Sequence, residues 1–245
     1  MTESTIQLRD HVFELLSAGA VFWSDQNAVV VADLHLGKDA TFRSASIGVP
    51  VGSTQRTLDR LAETLEQTGA TKLFILGDLF HARSSLRSET IGPWERFLVE
   101  HSEINRLLVM GNHDQHVGRL PDRWGLKVQP AEAYVNDVHL VHAPDDAERA
   151  RSESNGKSLS LCGHIHPAFR MTARHETLGK LPCFWWRNSK QQLILPAFGD
   201  FTGTHAIRCE VGDQVWVMAD DELIAVGRKG PSVVAATAGA KGPAR

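Results

Sequence analysis

A chain of 245 residues, 42% hydrophobic and 22% charged, has the size and composition of one large globular domain and excludes a low-complexity sequence. Its formal charge of −3 excludes a broadly basic nucleic-acid coat but leaves room for a local basic groove. Three cysteines (Cys162, Cys183 and Cys209) without a paired spacing exclude a disulfide framework. Glu3 near the start, no continuous apolar leader and no run of membrane-spanning length complete the expectation of a soluble cytoplasmic protein with reduced thiols.

In chain order, the apolar run Val29-Val30-Val31 predicts a buried strand over 29–32, and it leads into Asp33-Leu34-His35. Leu58, Leu61, Ala62 and Leu65 recur at helical spacing, predicting a helix over 54–67 with Ser53 as its N-cap. A second strand, 73–76, ends at Gly77-Asp78. Pro93 is expected to open a helix over 93–101 that buries Phe97 and Leu98. A third strand, 107–110, ends at Gly111-Asn112-His113-Asp114. This alternation of strands and helices predicts a mostly parallel sheet.

From about residue 124 the pattern changes to strands separated by short turns: 137–142, 158–162, 182–187, 191–196, 205–210 and 214–218. Asn188-Ser189 and Gly212-Asp213 mark turns. His142 follows Leu140-Val141, and Gly163-His164-Ile165-His166 follows Ser160-Leu161. The polar segment 145–157 reads as an exposed connection, and 230–245 as a disordered tail. The expected architecture is one domain over 1–229, a layered α/β sandwich of mixed sheets with outer helices and a dinuclear metal site at the strand ends. Two independent domains fit less well, because the candidate ligands come from both halves.

Polar residues placed where buried strands end are held by a stiff scaffold and reached through the following loops. Asp, His and Asn donors without thiolates suit a catalytic metal pair rather than a closed structural zinc site. Two metals about 3.5–4 Å apart would turn a bound water into hydroxide and clamp the oxygens of a phosphoryl group. His164 and His166 are two apart, as are Asp33 and His35, so in an extended chain each pair would face one side.

These ordered segments resemble the calcineurin-like metallophosphoesterases over residues 25–205. The resemblance implies that Asp33, His35 and His166 hold one divalent metal, that Asn112, His142 and His164 hold the other, and that Asp78 bridges them. It implies His113 as general acid at the leaving oxygen, oriented and kept protonated by Asp114. Leu36-Gly37-Lys38 after the first motif, Gly163 to Pro167, Leu181 to Trp185 and Leu195 to Gly199 are similar to the bacterial ligase-associated DNA damage response endonucleases. That family has a second glycine where this chain has Thr204. The narrower resemblance implies a DNA endonuclease of repair, encoded beside a DNA ligase and a helicase, with a homodimer as its assembly. The mixed donors favour Mn²⁺ over Mg²⁺, with Fe or Zn as alternatives.

Lys38 and Arg83 stand nearest the ligand residues and are the preferred phosphate contacts, ahead of Arg43, Arg87 and Arg119. His11, His101, His139, His175 and His205 read as packing or surface residues, whereas His81 and His116 sit close enough to the motifs for a supporting role. Trp94, Trp124, Trp185 and Trp186 could stack bases, but packing is the simpler expectation for such large aromatics. Against the endonuclease stand a phosphodiesterase or phosphatase of nucleotides or other small esters, and a non-catalytic scaffold. The intact ligand set and His113 argue against the scaffold.

Overall fold

The computed structural model describes residues 3–153, 158–173 and 176–226. A first sheet runs in the order β1 (Glu3–Leu8), β2 (His11–Leu16), β3 (Val21–Trp23), β4 (Ala28–Ala32), β5 (Lys72–Leu76), β6 (Asn105–Val109) and β7 (Leu126–Gln129). The hairpins β1 to β4 are antiparallel, and β4 to β7 are parallel. The second sheet is built from β8 (Glu132–Val135), β9 (Val138–Val141), β10 (Leu159–Cys162), β11 (Pro167–Ala173), β12 (Glu176–Arg187), β13 (Gln192–Ile194), β14 (His205–Ala206), β15 (Gln214–Ala219) and β16 (Glu222–Val226). Its order is β14-β11-β12-β13-β10-β9-β8, with β15 and β16 added beside β12.

Strand alternation sorts the side chains into layers. Val30, Ala32, Phe74, Leu76, Leu107 and Val109 of the first sheet meet Leu140, Leu161, Phe184, Leu193 and Trp216 of the second. The opposite face of the first sheet, with Val29, Val31, Leu73, Ile75 and Leu108, packs on α2 (Ser53–Thr68) and α3 (Ser88–Glu100) through Leu58, Leu61, Leu65, Trp94 and Phe97. The outer face of the second sheet is covered in part by Ala147 of α4 (Pro144–Glu153). The expected layered sandwich is therefore observed, and all four tryptophans considered for base stacking are buried in it.

Four local expectations are corrected. Ser53 is the first residue of α2, whose N-cap is Gly52, because the Ser53 hydroxyl donates to the Asp39 carboxylate at α1 (Lys38–Ser44) instead. α3 begins at Ser88, five residues before Pro93; the missing proline N–H leaves only the exposed first-turn carbonyl of Glu89 without its helical donor. The polar segment after 144 is helical up to Glu153, residues 154–157 lying outside the described ones. Pro144 and the acids Asp145 and Asp146 suit a helix start, and buried Ala147 and Ala150 give α4 a stripe too narrow for the composition to reveal. The strand expected over 205–210 is reduced to His205–Ala206, and the expected tail lies outside the described residues.

Candidate metal centre

All the ligand candidates gather where β4, β5, β6, β9 and β10 end. The backbone there is not extended: Asp33 (φ 55°), His35 (φ 47°), Asp78 (φ 52°), His164 (φ 70°) and His166 (φ 50°) are all left-handed. This conformation costs an L-residue roughly 1–2 kcal/mol, and its repetition at one place marks strain held for function. The i, i+2 pairs therefore converge through paired left-handed residues rather than by strand alternation. Hydrogen bonds between the loops fix the turns, Asp33 N to Gly77 O at 3.2 Å and His35 N to Asp78 O at 2.8 Å. A β-carbon on Gly77 would collide with the His142 ring, and one on Gly111 with the Asp78 carboxylate. The glycines that precede the ligands are thus required by close approach.

Around Asp78 the polar atoms face one another in an informative way. His142 donates its Nδ1 proton to Leu76 O at 3.0 Å, which leaves Nε2 with a lone pair. That lone pair faces Asn112 Oδ1 at 3.0 Å, His164 Nδ1 at 3.0 Å and Asp78 Oδ2 at 3.6 Å. His166 likewise donates Nδ1–H to Gly203 O at 3.0 Å, turning its Nε2 toward His35 Nε2 at 3.3 Å and Asp33 Oδ1 at 3.4 Å. Acceptors aimed at acceptors around the buried Asp33 and Asp78 carboxylates are unfavourable unless a cation lies among them. The donor set fits divalent metals on that ground. Asp33, His35 and His166 bring ligand atoms within 4.8 Å of one another, and so do Asp33, Asp78 and His142. Asp78 Oδ2 lies between the groups, 3.8 Å from His35 Nε2 and 3.6 Å from His142 Nε2.

The electrostatics agree. Burial pushes the Asp78 carboxyl up, whereas burial of Asp33 is outweighed by the histidines facing it, His166 first and then His142 and His35, leaving its pKa lowered. Burial lowers His35 to about 2 and also lowers His164, so both are neutral donors. Lys38, half-buried at the start of α1, is lowered by burial, and Asp33 and Asp78 offset part of that shift.

His113 stands at the edge of the cluster, with its backbone N–H on Asp78 Oδ1 at 2.9 Å and its Nε2 4.0 Å from Asp78 Oδ2. The expected Asp114–His113 contact is replaced by another. Asp114 accepts the backbone N–H of Gly111 at 3.0 Å and of Phe80 at 3.3 Å, while His113 Nδ1 donates to His81 O at 2.5 Å. Burial raises Asp114 to about 6. His81, read from the sequence only as a supporting residue, thus lies in the site: its ring stacks on His113 at 5.0 Å, and His35, His81 and His113 form a third group with nitrogens within 4.8 Å. Its position three residues after Asp78 in the same loop was the available signal. His116 is exposed, His11 and His101 are packed, and His139 is fully buried beside Glu132. His205 is exposed, and His175 lies outside the described residues.

Among the basic residues, Arg43 is taken by Asp39 at 2.9 Å and Glu89 at 2.8 Å, and Arg119 by Asp122 at 2.8 Å. Lys38 faces the cluster, and Arg83 and Arg87 are exposed along the following loop.

A family model described as calcineurin-like phosphoesterase matches residues 27–195. A search of curated proteins finds no match. The crystal structure of Pseudomonas putida nuclease MPE is similar with a TM-score of 0.76 at 28% identity, covering 92% of this chain and 100% of that one. Yfce, a phosphoesterase from E. coli, is 15% identical over 80% of this chain and 96% of its own, with a TM-score of 0.38. AQ665 from Aquifex aeolicus is 17% identical over 62% and 82% respectively, with a TM-score of 0.39.

Proposed function

Because this chain belongs to the calcineurin-like phosphoesterases, and is thus a metal-dependent phosphoric ester hydrolase, we propose that it is a nuclease cleaving internal phosphodiester bonds of DNA in repair. The observation that carries the catalytic reading is the ring of acceptor atoms around Asp33 and Asp78, each aimed at another acceptor. Asp33, His35 and His166 would hold one cation and Asn112, His142 and His164 the second, with Asp78 shared. A divalent pair there, with Mn²⁺ the best match to the mixed donors, would neutralise phosphoryl charge and acidify water.

The chain's own residues do the rest. His113 is the general acid: its Nδ1–H on the His81 carbonyl fixes the ring and frees Nε2 to carry the proton for the leaving oxygen. Asp114 acts on the backbone, tying the loop of Gly111 to that of Phe80 so that His113 and Asp78 keep their separation. Lys38 and Arg83 meet the phosphates flanking the reacting one, while Arg43 is held by its own carboxylates. DNA as substrate is supported by the likeness to the Pseudomonas putida nuclease over nearly the whole of both chains. Repair, and partnership with a ligase and a helicase, rest on the subfamily-like segments at 33–38 and 181–199.

The test is supercoiled plasmid incubated with purified protein and each divalent metal in turn. Nicked and then linear plasmid is expected with Mn²⁺, without sequence selectivity, weakened by salt and lost in Asp78→Ala. Plasmid that stays supercoiled while a small aryl diester or cyclic nucleotide is turned over would move the assignment to small esters.

A further inference from the structure

A cavity of about 490 Å³ opens from the Asn112, His142 and His164 end of the cluster, between the loop after β6, the β7–β8 turn and α4. That is an ordinary size for a small-molecule subsite, roughly 300–1,000 Å³. Its walls are apolar at Met110, Pro130, Ala131 and Ala143. Its polar groups are the Gln115 carboxamide, the Glu132 carboxylate and the Asp146–Arg149 pair. Glu132 is already bonded to His139.

Away from its mouth this composition offers a phosphate no free cation. Arg149 is the one cation among the described lining residues, and Asp146 neutralises it, while Glu132 would repel an anion. A flat, uncharged group with a hydrogen-bonding edge fits: small apolar side chains cover its faces, and a primary amide offers one donor and one acceptor side by side. Because three expected metal ligands form the mouth, a group seated in the cavity lies beside the phosphate being attacked. Resting on the phosphoesterase reading above, we propose that this cavity is a nucleobase subsite, which seats the base adjoining the scissile phosphate with Gln115 at its edge. The site then binds one base beside the metal pair, while the flanking phosphates run toward Lys38 and Arg83.

The test uses the metal-loaded protein hydrolysing an aryl phosphodiester, with deoxynucleoside 5′-monophosphates and 2-deoxyribose 5-phosphate as competing inhibitors. Both inhibitors carry the same phosphate and sugar, so the ratio of their inhibition constants isolates the base. The nucleotides are expected to bind tighter by roughly 10-fold or more. Ala131→Trp, which fills the cavity from an exposed turn, should bring the ratio to near one while elemental analysis finds the metals retained. Gln115→Ala, at an exposed position, should shrink the ratio by a smaller factor and guards against misfolding of the first variant. A ratio near one in the unaltered protein, or one that survives Ala131→Trp with metal in place, overturns the subsite. A large ratio alongside uncut plasmid would retain the subsite for free nucleotides and sink the DNA reading alone.

Discussion

The two sheets feed one metal cluster, but they do so with different materials. In the first sheet, the parallel strands β4, β5 and β6 are filled almost entirely by buried apolar side chains, and from their ends come Asp33, His35, Asp78, Asn112 and His113. In the second, β9 and β10 bury His139 and Ser160 among their apolar neighbours, and from their ends come His142, His164 and His166. Both cluster carboxylates thus belong to the first sheet, and the second supplies imidazoles only. The first sheet is a rigid apolar platform for the shared negative charge. The second closes on it with imidazoles, across the core of Phe74, Leu76, Phe184 and Trp216.

Removing a ligand from either side should separate these roles. Asp78→Ala takes away the oxygen that faces both ligand groups, so elemental analysis should find both equivalents of metal lost and hydrolysis at background. His164→Ala, from the second sheet, should lose about one equivalent and keep the other on Asp33, His35 and His166. Equal stoichiometry in the two variants would break the distinction between the sheets. Next in size is His113→Ala, which should retain metal and lose rate by roughly 10²–10⁴-fold. That loss should shrink for esters whose leaving group is already acidic. A His113→Ala protein stripped of metal would reassign His113 as a ligand.

The first sheet's contribution was legible in the sequence for a physical reason. Strands buried on both faces read as continuous apolar runs, so Asp33, Asp78 and Asn112 stand out as polar residues placed abruptly after them. The glycines before Asp78 and Asn112 were legible as well, although the collisions that require them needed coordinates. His81 was harder to read, because it acts through its carbonyl as well as its ring, and a backbone atom carries no residue signature. Asp114 was misplaced in role for the same reason, since its partners are the N–H groups of Gly111 and Phe80. The helix α4 stayed hidden because it buries little more than Ala147 and Ala150. Left-handed geometry at five ligands escapes any pattern argument, because Asp and His do not announce it.

Metal removal should loosen the joint between the sheets, since the ligands proposed for each cation come from both. At a free metal concentration 100-fold above its dissociation constant, a single ion stabilises the folded state by about 2.7 kcal/mol. For a chain of this size that amounts to roughly 5–10 °C in Tm. Thermal melts with Mn²⁺ present and after exhaustive chelation should differ by that much, and Asp78→Ala should melt at the same temperature in both. Coincident melts of the unaltered protein would mean that the cluster does not bridge the sheets energetically.

The smallest effect concerns the polar interior that distinguishes the second sheet. His139 is fully buried on β9, with Nε2 2.8 Å from Glu132 and its ring stacked on Tyr134 at 4.6 Å. Burial lowers its pKa, and the bond to Glu132 offsets only part of that shift. In the unfolded chain the imidazole takes up a proton near pH ~6.5, whereas the folded chain does so only at lower pH. Between those two points the unfolded state holds more protons, so stability falls as the pH falls. The contribution is complete above about pH 6.5 and is lost on acidification below it. His139→Gln removes the titration and keeps a polar group near Glu132, so its Tm should fall less steeply than that of the unaltered protein between pH 6.5 and 5. Other histidines whose pKa values are lowered in the fold, His35 and His164 among them, titrate with the same sign in both proteins and cancel in the difference. Parallel Tm curves across this range would show that His139 is no more costly to protonate in the fold than in the open chain, and would remove the pH-sensitive element from the second sheet.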